Sequence, residues 1–95
     1  MKTTDLLAEI LKKNNLKNAF GLQGGAVVHI FDSFIKKKID ITFTHHEQSA
    51  ALAAVSYAKS VNGIGCAIVT TGPGSTNSIT GLLAAWQDSI PVIFI

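Results

Sequence analysis

Four short apolar runs, Asn18 to Leu22, Ile39 to Phe43, Cys66 to Thr70 and Pro91 to Ile95, are separated by longer stretches with helical patterning. Each run is too short for a buried helix, and Gly, Asn or Pro residues punctuate the segments between them, so each reads as a strand. Strands alternating with helices leave few topologies open, because the strands must then run parallel and the crossover helices must cover the sheet. The expected fold is a doubly wound α/β sheet with helices on both faces, one domain over residues 1–95. The last run, Pro91-Val92-Ile93-Phe94-Ile95, reads as a buried strand that stops without a polar residue or a helix after it. The sheet is therefore expected to be incomplete at the C-terminus, and the chain to continue beyond it in a longer protein.

The connecting segments carry their own signals. Thr3 or Thr4 can cap a first helix with an apolar stripe at Leu6, Leu7, Ile10 and Leu11, ended by Asn14-Asn15. A second helix is expected over Ala26 to Lys38 with Val27, Ile30, Phe31 and Phe34 on one face, a third over the Ala-rich Ser49 to Lys59, and a last over Ser75 to about Asp88. Lys36, Lys37 and Lys38 fit the end of the second helix, where cations complement the dipole, better than a nucleic-acid surface. With 47% hydrophobic residues, 15% charged residues and a net charge of +2, the chain is a core-forming sequence and not a disordered one. It holds no run of the roughly 18 apolar residues that span a bilayer and no signal-peptide core, so a cytoplasmic protein without membrane or nucleic-acid partners is expected.

From Ile39 onward the only charged residues are Asp40, Glu47, Lys59 and Asp88. Two helices and three strands cannot be solvated by four charges. Much of that surface is expected to be covered by another subunit or by further chain, and Trp86 to belong to a core or an interface. Cys66 sits in an apolar strand and reads as a core thiol.

Three polar or Gly-rich segments follow three successive strands: Gln23-Gly24-Gly25, His45-His46-Glu47, and Thr70-Thr71-Gly72-Pro73-Gly74-Ser75-Thr76-Asn77. In a parallel sheet they share one edge, which is where ligands bind in this fold class. Glu47 is the acid placed to act there. Flanked by Phe43 and an Ala-rich helix, it is open to desolvation and a raised pKa, which would suit proton exchange with a ligand. Equally, it can simply occupy the first turn of a helix, where negative charge is stabilised. Other chemistries fit poorly. Gly72 to Ser78 lacks the lysine of a phosphate loop, Gly21 to Gly25 lacks dinucleotide-fold spacing, and consecutive His45, His46 and Glu47 lack the spacing of helical metal ligands. His29, His45 and His46 read first as structural residues.

Taken together, Gly21-Leu22-Gln23-Gly24-Gly25, His46-Glu47-Gln48, Tyr57-Ala58-Lys59, Thr70 to Asn77 and Asp88-Ser89-Ile90-Pro91-Val92 resemble the pyrimidine-binding domain of thiamine diphosphate enzymes, in the acetolactate synthase-like branch. The resemblance runs from about Asp5 to Ile95. It departs at Gln23, where the family often has proline, and at Ser56, where it often has glycine. It implies that Glu47 is the catalytic glutamate that hydrogen-bonds N1′ of the aminopyrimidine. Gln23, Gly24 and Gly25 correspond to the loop that meets this ring, and Thr70, Gly74 and Asn77 to the third loop around it. The implied activity is decarboxylation of a 2-oxo acid and transfer of the resulting carbanion to an acceptor. Close alternatives are a 2-oxo acid decarboxylase, including split-subunit types, and a non-catalytic module of the same fold. Family members bind the diphosphate and Mg²⁺ through a second domain with a Gly-Asp-Gly…Asn motif, which this sequence lacks, and assemble as homodimers or homotetramers. FAD is admitted by the resemblance without being required.

Overall fold

The computed structural model describes residues 1–95. Its centre is four parallel strands, β1 (Asn18–Gly21), β2 (Asp40–Phe43), β3 (Gly65–Ile68) and β4 (Val92–Phe94), in the spatial order β2-β1-β3-β4. The connections hold α1 (Thr3–Lys13), α2 (Val28–Lys36), α3 (Glu47–Val61), the single turn α4 (Pro73–Thr76) and α5 (Ile79–Gln87). From β1 the chain steps to β2 on one side, then returns past β1 to β3 on the other. The winding thus reverses between β1 and β3, and the expected doubly wound α/β fold is what forms.

Alternation along each strand sends successive side chains to opposite faces. Ala19, Cys66 and Ile68 join Ala8 and Leu11 of α1 and Phe31 and Phe34 of α2 in one core. On the other face Phe20 meets Tyr57 of α3 edge-on, with ring centroids 5.7 Å apart. There the packing relies on small residues: Gly65 lies against the Ala54 backbone, and Gly81 of α5 lies against Ala51 of α3. Cys66 is fully buried, and burial pushes its thiol up to about 12, so it is a core residue as expected. No helix is long and apolar enough to cross a membrane.

The structure differs from expectation at three places. Neither Thr3 nor Thr4 caps α1. Lys2 occupies the cap position and donates its backbone N–H to Asp5 Oδ2 at 2.9 Å, while the Thr4 hydroxyl pairs at 2.7 Å with Ser33 of α2. The expected Ser75 to Asp88 helix is two helices, because the Ser78 hydroxyl donates to the Ser75 carbonyl at 2.6 Å and the ladder breaks at Asn77-Ser78. The last strand is half-buried along Val92–Phe94, since it forms an edge of the sheet.

Candidate functional site

The reversal of winding fixes where the loops emerge. Beyond β1, Leu22 donates its N–H to the Ile68 carbonyl of β3 at 3.3 Å, and Gly21 accepts from Thr44 N–H at 2.9 Å. All three loops therefore leave the same edge within reach of one another, at the crevice where open parallel sheets hold ligands.

Thr70 is the hub. A Cβ added at Gly24 would fall 2.5 Å from Thr70 Cβ, and one at Gly74 would fall 2.8 Å from Thr70 Cγ2 and 3.6 Å from Glu47 Oε2. Both glycines are thus required by close approach, one from each side of the crevice. Ser75 Oγ donates to the Thr70 carbonyl at 2.9 Å, which ties the turn back onto the strand end. Gly72, with φ +74°, makes the reversal that starts α4. The break after α4 then has a consequence: Asn77, at the C-terminal cap of α4, aims its Nδ2 at Glu47 Oε1 from 3.0 Å.

Glu47 itself is the first residue of α3. Thr44 Oγ1 donates to the His46 carbonyl at 2.8 Å, and His46 Nδ1 accepts from Gln48 N–H at 3.0 Å, so the strand-to-helix junction is held on both sides of the acid. The expectation of a desolvated, raised Glu47 is overturned. The Asn77 amide, and then the backbone N–H of Glu47 itself, hold the carboxyl below the usual glutamate range, and desolvation is too weak to reverse this. Glu47 is accordingly an ionised acceptor whose Oε2 is left free by Asn77.

Of the sequence-predicted site residues, Gly24, Glu47, Thr70, Gly74 and Asn77 are brought together, while Gln23 and Gly25 lie exposed on the rim, with nothing within 4 Å of a Cβ built at Gly25. His46 is a helix cap. His29 and His45 are exposed, and Trp86 is 81% exposed on α5, which excludes a core role for it. Sequence reasoning missed Thr44, Ser75 and the capping role of His46. The signal for His46 was its place directly before the first helical residue, though imidazole is an uncommon cap. Concave surfaces lie elsewhere, the largest being about 380 Å³ against Leu82, Trp86, Ile90 and Phe94. The Glu47 cluster forms an open ledge. A free carboxylate oxygen beside the Gly74 backbone suits a group that presents an N–H.

The whole chain, residues 1–95, matches the family described as thiamine pyrophosphate enzyme, N-terminal TPP binding domain. The chain belongs to this family. Similar proteins include an acetolactate synthase large subunit of Cyanidium caldarium, 44% identical over 93 residues that cover 94% of this chain and 16% of that protein. The acetolactate synthase isozyme 2 large subunit of Escherichia coli (strain K12) is 38% identical over 95 residues, covering all of this chain and 17% of that protein. A third, an acetolactate synthase large subunit of Haemophilus influenzae, is 39% identical over 92 residues, 96% of this chain and 16% of its own length. This thiamine pyrophosphate (thiamine diphosphate) enzyme domain thus spans a small share of the relatives it matches.

Proposed function

We propose that the chain is the pyrimidine-binding part of an acetolactate synthase-like enzyme, with Glu47 as the acid that meets the cofactor's aminopyrimidine. The observation that carries this reading is the Asn77 to Glu47 hydrogen bond at the reversal of winding, which leaves one carboxylate oxygen free beside Gly74. When bound, thiamine diphosphate supplies a thiazolium that accepts the electrons released by loss of carbon dioxide from a 2-oxo acid.

This chain's own residues do the positioning. Asn77 pins one Glu47 oxygen, so the other is aimed in a fixed direction; a pinned, ionised carboxylate accepts a hydrogen bond from a protonated ring nitrogen and shares that proton. Gly24 and Gly74, lacking Cβ atoms, let their loops close onto Thr70, and Gln23 and Gly25 stand exposed on the rim. Thr70 holds the two glycine loops at their separation. The diphosphate and Mg²⁺ are assigned to a second domain, supplied by a neighbouring subunit of a homodimer or homotetramer, which also closes the open ledge. The charge-poor surface after Ile39 supports that assembly.

Glu47→Gln in that enzyme tests the reading. Glutamine keeps the shape but cannot take the proton, so turnover is expected to fall by about 10²-fold or more with the fold intact. Turnover within twofold of the parent would contradict it.

A further inference from the structure

His46 is not used by the proposed chemistry, yet it stands beside the acid and its ring nitrogen is spent on the backbone. Its Nδ1 accepts the Gln48 N–H at 3.0 Å, and its carbonyl accepts both the Thr44 hydroxyl at 2.8 Å and the Ala50 N–H at 3.3 Å. The first turn of a helix leaves its N–H groups without intrahelical partners, and a cap that satisfies one of them fixes that turn. Here the fixed turn begins with Glu47. The Thr44 backbone is in turn tied to Gly21 of β1 at 2.9 Å, so an unbroken series of hydrogen bonds runs from the central strand through Thr44 and His46 to Gln48.

We propose that His46 is a positioning residue for Glu47: its Nδ1, accepting the Gln48 N–H, locks the first turn of α3 so that the Glu47 carboxylate stays in register with Asn77 across the crevice. The role rests on the reading of Glu47 as the cofactor-facing acid, but the lock itself is a property of the chain. It assigns the work to one ring nitrogen. Nδ1 must be unprotonated and carry the lone pair, which leaves the ring proton on Nε2.

The two amide side chains separate the nitrogens. Asparagine places an oxygen where Nδ1 lies and is a strong cap, whereas glutamine reaches the position of Nε2 and leaves Nδ1 unreplaced. In the 95-residue chain, followed by NMR without any cofactor, His46→Asn is expected to keep the Gln48 amide protected from exchange and Glu47 titrating below the usual range. His46→Gln is expected to speed Gln48 exchange by about fivefold or more and to move Glu47 up toward the ordinary glutamate value. Unchanged Gln48 exchange and Glu47 titration in His46→Gln overturn the proposal, as does the reverse pattern, in which only His46→Asn disturbs Glu47. Fast exchange of Gln48 in the parent chain overturns it without any variant, so the test survives a variant that fails to fold. Because no cofactor is present, a failure of the thiamine diphosphate reading leaves this result untouched.

Discussion

The two helical layers of this domain close in opposite ways. On the α1–α2 side, every ion pair of the chain is found: Lys2 with Asp32, Lys36 with Asp32, and Glu9 with Lys13 and Lys37. Its outer surface sets these pairs among exposed Leu6, Ile10, Val28 and Ile35. The α3–α5 side has no ion pair, packs through Gly81 and Ala51, and exposes Ile79, Leu82, Leu83 and Trp86. Both layers expose apolar side chains, but only the first sets charge pairs among them, and only the second exposes a tryptophan. Glu47 begins the first helix of the second layer, so the site lies at the margin of the surface without ion pairs.

The largest expected effect comes from the ion-paired layer. Phe34 is fully buried in its core, and Phe34→Ala is expected to cost about 3–5 kcal/mol, read from urea unfolding. A loss below about 1 kcal/mol would mean that this core is loose. In the other layer, a valine at Gly81 must enter the space held by Ala51, whose backbone carbon lies 3.0 Å from the Cβ position. Helix propensity favours a side chain there, but the steric conflict is with backbone and cannot be relieved by a rotamer. Gly81→Val is expected to destabilise by about 1–3 kcal/mol; a neutral result would show the α3–α5 contact to be slack.

Smaller effects sharpen the contrast. Ser33 is fully buried and donates to Asp5 Oδ1 at 2.6 Å, so Ser33→Ala is expected to cost about 1–2 kcal/mol. The Ser33 hydroxyl first, then the Lys2 N–H, pull Asp5 from 3.8 down to about 2. A carboxyl depressed in the folded state stabilises above its unfolded pKa, and that stability drains away as pH falls from near 3.8 toward 2. Ser33→Ala should flatten this part of the acid-unfolding curve, and an unaltered curve would assign the acid sensitivity elsewhere. Trp86→Lys, on the open layer, should change stability by no more than about 0.5 kcal/mol while reducing self-association in sedimentation; a large stability loss would show that Trp86 already packs within the chain.

Much of this was legible because it is local. Short apolar runs separated by helical patterns sufficed for the parallel sheet, and the charge-poor stretch after Ile39 foretold the exposed apolar face of α5. The gathering of the three loops followed from topology, since loops after adjacent parallel strands share an edge, while the choice of Gly24, Thr70, Gly74 and Asn77 within them came from the family resemblance. What escaped depends on partners distant in sequence. Thr4 is drawn from capping by Ser33, 29 residues away. Glu47 is held ionised by Asn77, 30 residues away, where its apolar sequence neighbours suggested desolvation. The break at Asn77-Ser78 escaped for a different reason: a serine hydroxyl taking a backbone carbonyl has no signature in an otherwise helical sequence.

Glu47, aimed by Asn77 and free on one oxygen, is proposed to share a proton with the aminopyrimidine of the bound cofactor. The measurement that meets this proposal most directly is the rate at which the C2 hydrogen of bound thiamine diphosphate exchanges for deuterium, followed by NMR in the enzyme containing this domain. With Glu47→Gln, exchange is expected to slow by about 10²-fold or more while the cofactor stays bound. Equal exchange rates in the two proteins would contradict the account.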